Sequence, residues 1–382
     1  MKQYIKLLLI YILRFLNHLF YIFPVRSHRI YFTSYRGDGM CCNPYYVYKY
    51  MEEHCLQDYE FVWEIREGGI RREGQYIAVR PNTIRAAYYR MTAGILFSNI
   101  GFNSSIPKRK GQIYINTWHG GGAYKQVGVD LKEEQHPANI KINKLCAAEV
   151  DYFISSSRKF TGCMSAAKLI PQDKFLGVGM PRNDILLSED TTNKKNIASS
   201  IRQRYGLPEE EKIVLYAPTY RDNARGETEK LDVRQTLNAL TQRFGGEWTM
   251  LVRAHHFSDM QKMENAIDVS DYPDMQELLV AADVLITDYS SSMWDFALTG
   301  KPGFLFVPDL CDYESERKFY TPIETWPFAY GTDNESLCKL IRDYSREQGL
   351  KKSKQHLQDM GNQDLGQASK QLVDMIRNKK KR

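Results

Sequence analysis

The sequence predicts an α/β protein built on two open, mostly parallel sheets. Three observations predict it. Short apolar, β-branched runs alternate with helical patterns, the chain of 382 residues is long enough for two separate cores, and run after run ends in a polar or glycine-rich turn. In an open parallel sheet such turns gather at the carboxyl ends of the strands, where ligands bind.

The chain begins with its most apolar segment, residues 5–23 (IKLLLIYILRFLNHLFYIF). Lys6, Arg14, Asn17 and His18, together with Gln3, form a narrow polar stripe at helical spacing. A signal peptide needs a cleaner apolar core and a small-residue cleavage site, but Pro24, Val25 and Arg26 follow instead. A spanning helix would hold Arg14 near mid-bilayer, at a cost of at least ~2.5 kcal/mol. An amphipathic helix over residues 1–26, lying on the cytoplasmic face of a membrane, is the expectation; the alternatives are a helix packed on the protein body and a true span.

The first domain is expected over residues 27–187. Residues 29–34 (RIYFTS) read as its first strand, and the loop 35–44 leads to a helix start at Asn43 and Pro44. Further strands are read at 60–65, 76–79 and 94–98, with a helix over 83–91. Residues 113–117 form a strand that runs into Trp118, His119 and the glycines 120–122. A histidine placed at a strand end by a bulky Trp, with glycines opening space beside it, has the position of a general base; the alternative is a packed structural histidine at a sharp turn. Two more strands, 151–155 and 174–178, end in Ser155, Ser156 and Ser157 and in the run GMPRND (179–184). The polar stretch 188–198 marks the boundary.

The second domain, 188–382, opens with the strand 212–216, followed by Thr219, Tyr220 and Arg221. The strand 249–252 ends in Arg253, Ala254, His255 and His256. The apolar run 284–287 closes on Thr287 and passes into Asp288, Tyr289 and the serines Ser290, Ser291 and Ser292, then a helix that Gly300, Lys301 and Pro302 stop. Serines there can simply cap the helix. Three strands of one sheet ending in Thr219 with Arg221, Arg253 with His255, and Asp288 with the serines describe instead a crevice for a diphosphate.

Composition narrows the rest. A net charge of +6 is modest, but Lys108, Arg109 and Lys110 cluster in one loop and Arg377, Lys379, Lys380, Lys381 and Arg382 at the C-terminus, which favours anionic partners or, for the tail, plain solvation. Without interleaved aromatics these clusters do not describe a nucleic-acid groove. The seven scattered cysteines show no C-x-x-C pair and suit a reducing compartment. No Asp-x-Asp pair is present to chelate a metal with a nucleotide diphosphate, so no cofactor is required, with Mg²⁺ as an auxiliary.

The blocks TWHGGGAYKQVG (117–128), GMPRND (179–184), LYAPTYRDN (215–223), RAHH (253–256) and TDYSSSMWDFALTGKP (287–302) occur in the order found in the CDP-glycerol glycerophosphotransferase family of teichoic acid polymerases and primases, which the chain resembles over residues 30–330. The resemblance implies a GT-B fold, with two Rossmann-like domains facing across a cleft and the C-terminal one binding the nucleotide. It implies transfer of glycerol phosphate from CDP-glycerol to a lipid-linked or polymer acceptor, of a wall teichoic acid or a capsule, by an enzyme peripheral to the inner face of the cell membrane. His119 then matches the family's proposed base. Arg253 and His255 match its Arg-x-His-Pro motif, which contacts the donor's phosphates, and Thr287, Asp288, Ser290 and Ser291 fall in the donor site; Gly120 and Gly121, after the motif histidine, count among the substrate-binding residues. Two departures stand out: Gly121 and Gly122 replace the usual Thr-Pro and would widen the acceptor side, and His256 replaces Pro. Rival readings are a CDP-ribitol or other CDP-polyol donor, a nucleotide-sugar glycosyltransferase, and a non-catalytic binding protein.

Overall fold

Strands of the β-branched and aromatic residues expected from the sequence form two all-parallel sheets in the computed structural model, which describes residues 2–219, 230–253 and 263–380. The first sheet contains β1 (Arg26–Thr33), β2 (Glu60–Glu64), β3 (Ile77–Val79), β4 (Ala93–Ser98), β5 (Ile113–Asn116), β6 (Tyr152–Ile154) and β7 (Phe175–Leu176), in the order β3-β2-β1-β4-β5-β6-β7. The second contains β8 (Lys212–Ala217), β9 (Trp248–Val252), β10 (Ala266–Asp268), β11 (Val284–Thr287), β12 (Gly303–Phe306) and β13 (Ala329–Gly331), in the order β10-β9-β8-β11-β12-β13. In each sheet the strand order reverses once, between β1 and β4 and between β8 and β11. Such a reversal opens a crevice at the carboxyl edge.

The chain divides into two units, one of Met1–His119, Val127–Asp184 and Gln363–Arg382 and one of Gly120–Gln126 and Ile185–Asn362. In the first, register places Phe32 beside both Trp63 and Phe97, and the rings stack at 5.0 and 5.1 Å between centroids. In the second, Val214, Tyr216, Met250, Val252, Val284, Ile286, Phe304 and Phe306 build one buried face, while Leu215, Leu251, Leu285 and Leu305 are buried on the other. Burial on both faces explains why these strands read as continuous apolar runs.

The expected domains, 27–187 and 188–382, differ from this division at residues 120–126 and 185–187, which group with the second unit, and at the C-terminal end. Residues 363–382 group with the first unit, because Asp364 accepts the Met180 N–H (2.6 Å) and an Asn183 side-chain N–H (3.3 Å), and Asp184 accepts the N–H groups of Ala368 and Ser369 at 2.8 Å. Asp364 and Asp184 thus bind the C-terminal segment, with its helix Ala368–Lys380, to the GMPRND run. Composition carries no trace of such a return.

The N-terminal segment folds as α1 (Lys2–Asn17) followed by a 3-10 turn, His18–Ile22. Residues Lys2–Ile22 are long and apolar enough to cross a membrane by length and composition. Three helices of the same unit follow along the chain, α2 (Cys42–Cys55), α3 (Ile84–Thr92) and α4 (Pro137–Glu149), and α1 packs on α4. Its inward side carries Leu7, Ile10, Arg14 and Asn17: Arg14 pairs with Glu149 (2.5 Å) and donates to the Ser104 carbonyl (2.8 Å), and Asn17 donates to the Ser105 carbonyl (3.2 Å). Outward stand Phe15, Leu19 and Ile22, each at least 73% exposed. This inverts the usual surface helix, whose polar face meets water.

The basic loop expected to attract anions is largely internal. Lys108 pairs with Asp151 at 2.5 Å, and the buried Arg109 donates to the carbonyls of Phe23 (2.8 Å) and Met91 (3.1 Å), closing the N-terminal segment onto the unit. Only Lys110 of the three is exposed. At the other terminus Arg377 lies 3.7 Å from Asp58, and Lys379 sits over the Tyr152 ring.

Candidate active site

The first unit holds His119 at the end of β5. The turn is strained, with Trp118 at φ +50°, a left-handed conformation rare outside glycine. Two side chains brace it. Asn43, fully buried at the start of α2, donates to the carbonyls of Thr117 (2.9 Å) and Trp118 (3.0 Å), and Arg182 donates to the His119 carbonyl (2.7 Å). Arg182 is itself held by its N–H on the Asn43 side-chain oxygen at 3.1 Å. The imidazole lies against Trp118 (4.3 Å between centroids) and edge-on to Tyr35 (5.6 Å). Its Nδ1 is 3.0 Å from the Asn99 carbonyl, which can only accept. Nδ1 therefore carries the proton and Nε2 is the basic nitrogen, the tautomer a general base needs. Asn43, Arg182 and Asn99 escaped the sequence reading. Asn43 was read only as a helix start, and the Arg in GMPRND was the one signal that could have been followed.

Next to His119 in the chain, Gly120 to Gln126 belong to the second unit. The glycines there do not open space. A Cβ on Gly120 would meet Ser291 Oγ at 2.6 Å, and one on Gly121 would meet the Trp294 indole at 2.1 Å. The expected widening at Gly121 and Gly122 is thus overturned: the segment needs glycine because its backbone presses onto the helix Ser292–Ala297, and at Gly122 because φ is +85°. Beyond it, Tyr124 is buried, and its hydroxyl donates to His356 Nε2 (2.9 Å) while His356 Nδ1–H donates to the Thr325 carbonyl (2.7 Å). Burial lowers the His356 pKa to about 4, against a smaller upward pull from the Thr325 carbonyl, so this anchor is neutral at physiological pH.

The remaining expected site residues lie where three neighbouring strands of the second sheet end. Thr219 follows β8, Arg253 follows β9 and Thr287 closes β11, with Thr287 opposite Ala217 and Tyr216 opposite Val252 in register. The β8–β11 boundary is the point of reversal, so sequence and topology agree on the edge. Arg221 and His255, like His256, lie outside the described residues.

Not all of these groups face outward. Asp288 is 1% exposed and accepts the Thr219 N–H at 2.8 Å and the Thr219 hydroxyl at 2.6 Å. Thr287 is buried and donates to the Ala217 carbonyl at 2.6 Å. These three residues clamp the two strand ends together. Ser290 and Ser291 are partly exposed; Ser290 Oγ receives the Ser292 N–H (3.3 Å) and hydroxyl (3.1 Å), and the Ser291 side chain makes no capping bond although it stands at the N-cap. The clamp is a buried, charge-assisted contact, so Asp288→Ala is expected to destabilise the second unit by about 3 kcal/mol, whereas Asp288→Asn retains part of the bonding. Urea denaturation of the three proteins measures both.

Among the described residues no three His, Cys, Asp or Glu side chains gather as metal ligands.

The model of the CDP-glycerol:poly(glycerophosphate) glycerophosphotransferase family matches residues 15–378. The chain belongs to this family. It is 32% identical over 320 residues to a teichoic acid poly(glycerol phosphate) polymerase of Bacillus spizizenii, covering 79% of this chain and 80% of the relative. A polymerase of the same description from Staphylococcus epidermidis is 30% identical over 347 residues, but the 85% of this chain that matches spans only 47% of that protein. A variant of the wall teichoic acid polymerase TagF, in a structure obtained after a soak with CDPG, superposes with a TM-score of 0.82 at 27% identity, over 95% of this chain and 92% of the other. UDP-N-acetylglucosamine 2-epimerases share the fold alone, at 12% identity. The GT-B-type α/β fold and the family expected from the motif order are both borne out.

Proposed function

We propose that this family member transfers glycerol phosphate from CDP-glycerol to a hydroxyl of a membrane-held teichoic acid or capsular polymer, releasing CMP. In this reaction a bond forms between the acceptor oxygen and the β-phosphorus, and the bond from that phosphorus to the CMP oxygen breaks. His119 Nε2 takes the acceptor proton, and the observation that carries this reading is the Asn99 carbonyl that holds the other nitrogen protonated. Arg253, with Ser290 and Ser291 at the strand ends, supplies positive charge and hydroxyl donors for the diphosphate; His255, Arg221, Gly120 and Gly121 complete the assignment by motif position and chain neighbourhood. No resident cofactor is assigned, and Mg²⁺ enters only as counter-ion of the diphosphate.

The exposed apolar side of α1, with Arg14 neutralised by Glu149 on the protein side, supports a helix lying in the cytoplasmic membrane surface, where a lipid-linked acceptor is met. No nucleic-acid partner is assigned. A second donor reading rests on a teichoic acid ribitol-phosphate primase of Bacillus spizizenii, 24% identical over 93% of this chain and 92% of that one. CMP release measured with CDP-glycerol, CDP-ribitol and a UDP-sugar over membrane lipid acceptors decides the matter. Release from CDP-glycerol alone is expected; release from CDP-ribitol would move the donor, and UDP release would remove the phosphotransferase reading.

A further inference from the structure

Beyond His119, the carboxyl edge of the first sheet carries a row of arginines that the proposed chemistry leaves unused. Arg80 directly follows β3, Arg71 comes from the loop before it and Arg85 from the first turn of α3. With Thr83, the N-cap of α3, they line a cavity of about 290 Å³ over an apolar floor that includes Ile65 and Val79. All three arginines are exposed, and Arg80 pairs with Glu67 at 3.8 Å; with Glu67 itself 87% exposed, this solvated pair does not neutralise three guanidinium groups.

Contacts within the same unit connect the cavity to His119. Ile65 adjoins Arg66, whose N–H donates to the Gly37 carbonyl (2.7 Å) and whose side chain pairs with Asp38 (2.9 Å). Gly37 follows the exposed Arg36, and Arg36 follows Tyr35, whose ring meets that of His119. The order β3-β2-β1-β4-β5 puts four strand spacings between the cavity and the end of β5, roughly 19 Å. A glycerol phosphate repeat has six backbone bonds of about 1.5 Å and advances about 7 Å when extended. The separation therefore corresponds to about three repeats.

We infer that Arg71, Arg80 and Arg85 form a subsite for an internal phosphodiester of the acceptor polymer, about three repeats from the hydroxyl that His119 deprotonates. Guanidinium groups from three segments match phosphate geometry, and a polymer that grows by repeats presents a phosphate at that distance whatever its length beyond. This inference rests on the acceptor reading above.

The test uses soluble glycerol phosphate oligomers of one to five units at saturating CDP-glycerol, with wild type and the triple variant R71Q/R80Q/R85Q. In wild type the acceptor KM is expected to fall on the order of tenfold or more between two and four units, and the fall should shrink at high salt. In the variant the fall should vanish while turnover of the one-unit acceptor is unchanged. An equal length dependence in both proteins, or none in wild type, would overturn the subsite. Loss of binding to phosphatidylglycerol vesicles with length dependence intact would also overturn it, assigning the arginines to lipid headgroups. Anisotropy of a labelled tetramer without donor separates the two claims. Tetramer binding lost in the variant supports the subsite even where wild type releases no CMP, the result that would sink the reaction and not the site.

Discussion

His119→Ala is expected to lower CMP release from CDP-glycerol by about 10²–10⁴-fold, the range for removing a general base, with donor affinity close to that of wild type. The imidazole sits on the first unit's sheet and is oriented by the Asn99 carbonyl, so its loss leaves Thr219, Asp288 and the serines of the second sheet intact. Single-turnover CMP release beside equilibrium CDP-glycerol binding checks both halves. A variant that released CMP at the wild-type rate would remove His119 from the chemistry. A variant that failed to bind donor would make it a binding residue instead.

The second large effect concerns acid. His356 is buried as a neutral imidazole with a pKa near 4, against 6.5 when exposed. Below pH 6.5 the unfolded chain takes up a proton at this position that the folded chain refuses until about pH 4. Stability is therefore complete above pH 6.5 and is lost as pH falls from 6.5 to 4, by about 3 kcal/mol when the fall is complete. Asp184, pushed up by burial against the hydrogen bonds from Ser369 and Ala368, acts in the opposite sense, so wild type must be compared with a variant and not with itself. Urea midpoints from pH 7 to pH 4 for wild type and His356→Gln are expected to converge at low pH, because only wild type carries this acid-sensitive part. Parallel curves would show that the His356–Tyr124 contact is not the proton-linked element.

Much of the architecture was legible because local signals and fold agree. The runs at 212–216 and 284–287 are apolar throughout since both faces of the second sheet are covered, and the polar groups after them fall on one edge because all its strands are parallel. The reading of the glycines after His119 failed for an instructive reason. A glycine run signals either space or close approach, and only the neighbour decides; here the neighbours are Ser291 and Trp294, some 170 positions along the chain. The same holds for Lys108 and Arg109, whose charge looked available until Asp151 and a set of carbonyls were found around it.

The sequence by itself determined the strand runs, the turn chemistry at their ends and the family, since these depend on residue type and order. Tertiary structure alone decided which of the chosen residues face outward. It turned Asp288 and Thr219 toward each other, Asn43 and Arg182 toward the backbone around His119, and residues 363–380 back onto the first unit. The physical reason is that a buried polar atom must find a partner, and the partner is chosen by proximity in space, which separation along the chain does not reveal.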